Sequence, residues 1–377
     1  MLIFFSIVFI VALILFVHPY VIYPASLYLF PARKVAIDRS RQLPSASFLF
    51  CAYNEERSLP SKVDNLRAIS AGREDVECLA YSDCSSDRTF ALLQQQGELI
   101  RPVSGTKRTG KALGMRRLVT MAQNDILVFT DANVILDPQS IDPLLSYFSD
   151  PEVGGVAGTL VYVNPDESTT AQVSSAYWRL EELIKQLESR CGSIMGADGS
   201  IFAVRRELYP EVPGHLLDDF IASISVTFQK HRLIHATDVV AYERSATVSA
   251  DEFRRKRRIA CRAFNTHRYL WPTIRRHYSA GDLYKYVSHK LLRWFGMVTL
   301  TVAAVSAILM FALAELPVVG AGLVIAGAGV FLLGQRGVPV ASAASELLLS
   351  IAATYLGIID SLRGKTYQTW APALSRT

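Results

Sequence analysis

Apolar residues are spread unevenly along the chain, and their spacing divides it into three stretches. From Met1 to Val17 the sequence is almost unbroken hydrocarbon, and Val21 to Phe30 continues it beyond His18 and Pro19. About 20 apolar residues cross a bilayer as a helix, so residues 1–30 are expected to form a transmembrane anchor with a kink at the proline. A cleavable signal peptide would need a basic start and a shorter apolar run. The first basic residue here is Arg33 and the run is too long, so the segment is read as uncleaved. Phe295–Ala314, Val318–Gly334 and Val338–Ile359 are each about long enough to span as well.

Between these ends, residues 45–245 alternate short apolar runs with helical periodicity, the pattern of an α/β domain with a largely parallel sheet. Phe48–Ala52 reads as a first strand, Val76–Tyr81 as a second, Glu98–Val103 as a third and Asp125–Thr130 as a fourth. Helices are expected at Leu59–Ile69, Arg88–Gln96 and Lys111–Met121. Three strands end in acidic loops, at Tyr53-Asn54-Glu55-Glu56, at Ser82-Asp83-Cys84-Ser85-Ser86-Asp87 and at Asp131-Ala132-Asn133. Ligands in such sheets bind outside the carboxyl ends of the strands. One acidic loop residue commonly means only an Asx-turn or a helix cap; three on one edge favour a site.

Charge assigns sides to this plan. Arg33, Lys34, Arg39 and Arg41 follow the first apolar helix and Arg293 precedes the second, so the positive-inside rule places residues 33–294 in the cytoplasm. A fourth crossing would put Arg363, Lys365 and Arg376 on the wrong side, and Glu346 interrupts the last stretch, which is therefore read as interfacial or re-entrant. The expected layout is an anchor at 1–30, a cytoplasmic catalytic domain at 31–250, basic amphipathic interface helices at 251–294, membrane segments at 295–360 and a cytoplasmic tail at 361–377. The formal net charge of the 377 residues is +5, with 39 Lys and Arg against 34 Asp and Glu. Residues 251–277 alone hold nine Lys and Arg against two acidic residues, so the positive charge belongs to that junction. With 50% apolar and only 19% charged residues, disordered, collagen-like and small disulfide-bonded classes are excluded. Five cysteines without a C-x-x-C pair indicate a reducing compartment.

Gly105-Thr-Lys-Arg-Thr-Gly110-Lys111 satisfies the spacing of a phosphate-binding P-loop, and Ile126–Asp131 resembles an apolar strand ending in a Mg²⁺-binding aspartate. The residue after Lys111 is Ala112, which has no hydroxyl for magnesium, and two acidic-ended strands come earlier in the chain. A membrane ATPase is therefore the weaker reading, with Lys111 left to meet a phosphate or to neutralise the acidic edge.

Taken in order, Cys51-Ala-Tyr-Asn-Glu-Glu56, Ser82-Asp83-x-Ser-Ser-Asp87-x-Thr89, Gly110-Lys-Ala-Leu-Gly114 and Asp131-Ala-Asn133 resemble the motifs of family 2 glycosyltransferases, which have a GT-A fold. Gly196-Ala-Asp-Gly-Ser200, Leu217-Asp-Asp219, Arg255–Arg258 and a tail with Leu362–Lys365, Trp370 and Pro372 are similar to the membrane-bound, polysaccharide-synthesising members. The resemblance implies transfer from a nucleotide-diphospho-sugar, a UDP- or GDP-sugar, to a glycan or lipid-linked acceptor in envelope or exopolysaccharide synthesis. By that resemblance Ala52, Tyr53, Glu55, Asp83, Lys111 and Asp131 hold the nucleotide-sugar, and Arg255 and Arg258 hold its diphosphate. Asp198 and Gly199 lie on the acceptor side. Asp219, second of the pair with Asp218, is the implied general base, for inversion without an enzyme nucleophile. A divalent ion, Mg²⁺ or Mn²⁺, is implied at Asp131 and at Asn133, where this chain replaces the second aspartate of the family's D-x-D motif. Two further departures stand at the family's Gln-x-x-Arg-Trp motif, Arg255 for Gln and Ile259 for Trp, which puts processive synthesis in doubt.

Several of these residues also have plain readings. Asp218 or Asp219 suits a helix cap near Phe220. Arg254–Arg258 suits a polybasic helix pressed on anionic membrane lipid, which is preferred to nucleic-acid binding because the run adjoins Trp294 and the membrane segments. Trp178 and Glu181-Glu182, on a helix over 169–190, resemble the family's pre-acceptor segment and equally suit a core tryptophan with a solvated acidic face. A catalytically degenerate scaffold is a further alternative, against which retained Asp83, Asp131 and Asp219 argue.

Overall fold

Strand β1 (Ala46–Ala52) is buried along its whole length. Phe48 and Phe50 pack on one face with Leu59, Val63 and Leu66 of helix Leu59–Ser70. Leu49 and Cys51 pack on the other with Met115 and Leu118 of helix Lys111–Met121. Side chains alternate along a strand, so a run apolar at every position must be covered on both faces, which is why Phe48–Ala52 reads as unbroken hydrocarbon. The computed structural model describes residues 1–38 and 40–370. Arg39, Pro372 and Arg376, which entered the charge and tail readings, lie outside the described residues.

Among the described residues, seven more strands follow: β2 (Val76–Ser82), β3 (Arg101–Ser104), β4 (Ile126–Thr130), β5 (Ile135–Leu136), β6 (Val153–Tyr162), β7 (Ile201–Arg205) and β8 (Arg232–Glu243). They form one sheet in the order β3-β2-β1-β4-β7-β6-β8-β5. β1, β2, β3 and β4 run parallel, with Ala46 opposite both Val76 and Ile126, so the loops leaving β1, β2 and β4 emerge on one edge. β7 is antiparallel to β4, with Ile201 opposite Thr130. That reversal brings residues 198–200 into the sheet at the edge where 131–133 leave it. The sheet is thus mixed rather than uniformly parallel. β3 begins at Arg101, later than expected, because the amides of Leu99 and Ile100 turn back onto the carbonyl of Gln96.

Among the described residues, four helical segments are long and apolar enough to cross a membrane: Leu2–Leu29, Gly296–Leu313, Pro317–Gln335 and Pro339–Leu362. The first changes to a π-helical turn over His18–Ile22, where Pro19 cannot donate to the α-helical ladder. Its lower end is fastened to helix Thr169–Cys191 by a polar knot: Tyr23 donates to Glu188 at 2.5 Å, and His289 bridges Glu188 at 2.8 Å and Glu181 at 2.9 Å. Glu181 therefore lies in the interior beside His289, Lys290 and Arg293, and Glu182 pairs with Lys185 at 2.7 Å. The solvated acidic face expected for these two glutamates is not formed, because neighbouring cations cover it. Trp178 of the same helix is half-buried against Tyr162.

The basic run begins the 29-residue helix Ser249–His277, and the last apolar helix lies along it. Lys256 donates to Ser350 at 2.7 Å, and Arg257 forks onto the fully buried Asp360 at 2.7 and 3.0 Å. A Cβ on Gly357 would collide with the carbonyl of Arg257, so the two helices cross at backbone contact. Two of the five consecutive cations thus serve this helix pair rather than a lipid surface. Beyond Leu362 the chain returns to the sheet edge, where Gln368 donates to the carbonyl of Thr109 at 2.8 Å.

Candidate active site

The loops after β1 and β2 are tied directly to each other. Asp87 accepts from the amides of Glu56 (3.1 Å) and Thr89 (2.9 Å), and the Thr89 hydroxyl accepts from the amide of Glu55 at 2.8 Å. Ala52 is fully buried and its carbonyl accepts from the Asp83 amide at 2.9 Å. Asp83 itself is fully buried; it accepts from the amides of Thr109 at 2.7 Å and Gly110 at 3.0 Å. It therefore fixes the start of helix Lys111–Met121. Gly110 sits at φ +87°, a left-handed conformation costly for other residues, and a Cβ there would strike the carbonyl of Gln368. The conformation explains the glycine before Lys111 without a nucleotide-cradling P-loop. β3, which precedes this loop, is the edge of the sheet.

Lys111 opens that helix pointing across the edge. Its Nζ lies 2.6 Å from Asp131 Oδ1 and 4.0 Å from Asp218 Oδ2. Burial pulls its pKa down, but Asp131, Asp218 and Asp219 outweigh burial and hold it above the ordinary lysine value. Asp218 and Asp219 are the first two residues of helix Asp218–Phe228, and Asp219 Oδ1 accepts from the amide of Phe220 at 2.7 Å. Both carboxylates face a helix N-terminus, where negative charge is favoured. Burial, then the charge of Asp218, push the Asp219 pKa up to about 7; Lys111, the Phe220 amide and Arg262 oppose them.

Gly199 shows how tightly these groups converge. A Cβ built there would lie 2.8 Å from Lys111 Nζ, 3.2 Å from Asp219 Oδ2 and 3.5 Å from Asp131 Oδ2. The absent side chain leaves open a small space walled by one ammonium and two carboxylate oxygens. Asp198, its neighbour, is held by Lys185 at 3.0 Å, and Lys185 also holds Glu182. Burial raises the Glu182 pKa to about 7 against the pull of Lys185.

Of the residues singled out in the sequence, Lys111, Asp131, Asp218, Asp219 and Gly199 meet at one place. Tyr53 and Asp83 lie together at the loop before Lys111, while Glu55 is buried and accepts from Ser58 at 2.9 Å. Arg255 is turned to Glu252 at 2.9 Å, and Arg258 is half-buried on the same helix. Arg262, one turn further, reaches the carboxylate pair: its guanidinium lies 3.9 Å from Asp218 and donates to the carbonyl of Leu216. Sequence reasoning left Arg262 in a general basic run; its i+4 spacing from Arg258 was the available signal. Arg108 was also missed. Its guanidinium stacks 3.4 Å from the Tyr53 ring centroid, lies 3.9 Å from Asp83 and donates to the carbonyl of Trp370, whose indole meets Tyr53 edge-on. A third omission, Lys62, is fully buried beneath the Asp131 loop; it donates to Thr130 at 3.1 Å and to the Val134 carbonyl at 2.7 Å. Burial lowers its pKa to about 7, with Asp131 opposing.

Asn133 points its amide nitrogen at Glu243, 2.9 Å away, and no described residue donates to its amide oxygen. Among the described residues no three His, Cys, Asp or Glu side chains converge on a single ion position. Asp131 and the Asn133 oxygen supply two hard oxygen donors, which suit Mg²⁺ or Mn²⁺ once a ligand's phosphate oxygens complete the shell. The fit is that of a cation bound together with a diphosphate.

Residues 47–212 match the family model "Glycosyl transferase family 2". A beta-monoglucosyldiacylglycerol synthase from Trichormus variabilis is 22% identical over 194 residues, covering 50% of this chain and 42% of that protein. A 4,4'-diaponeurosporenoate glycosyltransferase from Staphylococcus haemolyticus is 26% identical over 136 residues, covering 34% of this chain and 36% of that protein. The matches span less than half the length of these curated relatives. A mannosyltransferase from Pyrobaculum calidifontis, solved in complex with GDP-Man and Mn²⁺, superposes with a TM-score of 0.73 over 96% of this chain and 99% of its own, at 20% identity. At that identity the likeness establishes a shared fold.

Proposed function

We propose that the chain is a family 2 glycosyltransferase that moves a sugar from a nucleoside-diphospho-sugar to a hydroxyl of a membrane-held acceptor, with inversion; the family-model match over residues 47–212 and the shared GT-A fold support this reading. The observation that carries this reading is the convergence of Lys111, Asp131 and Asp219 on the open space beside Gly199. It puts a candidate base and a candidate donor-phosphate partner within reach of one reacting atom. Asp219 takes the proton of the acceptor hydroxyl; the freed oxygen attacks the anomeric carbon, and the bond to the diphosphate breaks as the new glycosidic bond forms. A carboxyl with its pKa near 7 suits that exchange at neutral pH. Asp218, held between Lys111 and Arg262, positions the helix start rather than taking the proton.

Donor contacts fall to Ala52, Tyr53, Glu55 and Asp83 at the nucleoside. Lys111, with Arg258, meets the negative charge of the diphosphate, and Arg255 joins them by giving up its fork onto Glu252. Because Asp83 is already committed to Thr109 and Gly110, it serves the nucleoside chiefly by shaping the loop. Asp131 and Asn133 would hold a divalent ion, which supplies Lewis-acid stabilisation to the leaving diphosphate when bound. Asp198 and Gly199 face the acceptor. UDP- and GDP-sugars are the proposed donors, and a lipid-linked or glycan hydroxyl in envelope or exopolysaccharide synthesis is the proposed acceptor.

The catalytic domain lies on the cytoplasmic side by the charge of Arg33, Lys34, Arg41 and Arg293. Residues 365–370 return to that same domain, so the chain crosses an even number of times between Gly296 and Leu362. Gly296–Leu313 and Pro317–Gln335 make those crossings, and Pro339–Leu362 lies at the interface against Ser249–His277. The test is a panel of UDP- and GDP-sugars incubated with membranes holding the wild-type or Asp219→Asn chain, with the anomeric configuration of the product read by NMR. Wild-type rates from Asp219→Asn would remove the proposed base; retention of the donor's configuration would remove inversion.

A further inference from the structure

We propose that Lys111 makes divalent-cation binding conditional on the donor diphosphate: its ammonium occupies Asp131 in the donor-free protein and passes to the diphosphate when cation and donor arrive together. The inference rests on the donor reading above and concerns what the lysine does before the donor comes.

The ammonium is 2.6 Å from Asp131 Oδ1, the carboxylate a cation would need, and its side chain is only 17% exposed. Its backbone has little freedom to withdraw. Lys111 is the first residue of its helix, and the two residues before it are bonded through their amides to buried Asp83. On the far side, the space beside Gly199 is bounded by Asp219 and Asp131 themselves. The other charges nearby are Asp218, 4.0 Å from the ammonium; Arg262, which is drawn to Asp218 rather than to Asp131; and Lys62, buried beneath the loop and bonded to Thr130 and the Val134 carbonyl.

A cation arriving alone meets a poor exchange. The motif offers it a single carboxylate, because the second aspartate is replaced by neutral Asn133, whose nitrogen is committed to Glu243. It must also break a short charge-assisted hydrogen bond and leave a buried ammonium without that partner. A diphosphate removes both obstacles. Its oxygens accept from the displaced ammonium, and they complete the cation's oxygen shell. Cation and donor therefore bind with positive coupling, and linkage requires the effect to be reciprocal.

The test uses the full chain purified in detergent. Mn²⁺ binding is followed by the loss of its free electron paramagnetic resonance signal, and UDP and GDP binding in EDTA by calorimetry. Without nucleotide, Lys111→Gln is expected to bind Mn²⁺ about tenfold tighter than wild type or more, the factor for losing one charge-assisted hydrogen bond. Lys111→Arg keeps the blockade, and adding Asp131→Asn to Lys111→Gln abolishes the gained site. In EDTA, Lys111→Gln binds UDP or GDP about tenfold weaker. Wild-type protein alone shows the coupling without any variant, through Mn²⁺ affinity that rises when UDP or GDP is present, after correction for the metal chelated by free nucleotide. The proposal is overturned if Lys111→Gln binds Mn²⁺ no tighter than wild type, or if wild type binds Mn²⁺ as tightly without nucleotide as with it. Failure of wild type to bind either nucleotide overturns the donor reading instead, and the nucleotide-free Mn²⁺ comparison still decides the role of the lysine.

Discussion

Replacing Gly199 by alanine adds one methyl group at the point where the proposed chemistry converges. The backbone there is not left-handed, so alanine is conformationally acceptable and slightly stiffens the unfolded chain, a gain of about 0.4–1 kcal/mol. The obstacle is contact. The new Cβ would lie 2.8 Å from Lys111 Nζ, 3.2 Å from Asp219 Oδ2 and 3.5 Å from Asp131 Oδ2. The lysine end is the flexible neighbour and retreats first, at the expense of its 2.6 Å bond to Asp131. A hydrogen bond between charged groups contributes about 1.5–3 kcal/mol, so the two effects leave folding stability changed by no more than about 2–3 kcal/mol. The same displacement moves the diphosphate partner and narrows the space for the reacting atoms, which costs about 10- to 100-fold in kcat/KM. Thermal unfolding in detergent and sugar transfer from the active donor measure the two quantities side by side. The reasoning fails if Gly199→Ala keeps wild-type kcat/KM, or if its loss of activity merely tracks a large fall in Tm.

Asp219→Asn should lower kcat by about 10²- to 10⁴-fold, the usual contribution of a general base, while wild-type kcat/KM rises with pH through about 7 as Asp219 loses its proton. The same group lends stability with the opposite slope. Its pKa in the folded chain is raised, so that contribution is full below the unfolded value of about 4 and falls away as pH climbs through about 7; in Asp219→Asn this slope should vanish from a Tm–pH series. Phe48→Ala removes a fully buried ring from the central strand and should destabilise by about 3–5 kcal/mol, seen as a large fall in Tm. Gly357→Leu should separate the last helix from Ser249–His277 and expose the tail contacts at Thr109 and Arg108 to limited proteolysis; unchanged cleavage would argue against backbone contact between the helices. Single cysteines placed at Glu315 and at Thr366 in a chain freed of its own cysteines should be labelled from opposite sides of sealed vesicles, and labelling from one side would refute the proposed two crossings after Gly296.

Much of the frame was readable along the chain because it rests on short-range periodicity. Helix Lys111–Met121 coincides with its expected limits, and β1, β2 and β4 lie within two residues of theirs, since apolar runs covered on both faces leave no ambiguity of register. The acidic loops at Glu55, Asp83 and Asp131 could be placed on one edge as soon as their strands were taken to be parallel. What could not be read was which charges would meet. Glu181 and Glu182 have the spacing of a solvated face, yet one is enclosed by His289, Lys290 and Arg293, about 110 residues away in sequence, and the other holds Lys185. Lys256 and Arg257 look like lipid-facing cations but are taken up by Ser350 and Asp360 of a helix that hydropathy alone would thread through the bilayer.

The sequence by itself determined where apolar surface must be buried, hence the sheet, its covering helices and the segments suited to a membrane, because burial follows composition and period locally. Only the tertiary structure decided that Lys111 faces Asp131, that the reversed strand β7 carries Gly199 to their side, and that the helix start at Asp218 and Asp219 closes the space beside it. Those pairings depend on strand order and register between residues 20 to 100 positions apart. A charge finds its partner through where the backbone has been placed, and no local pattern records that placement.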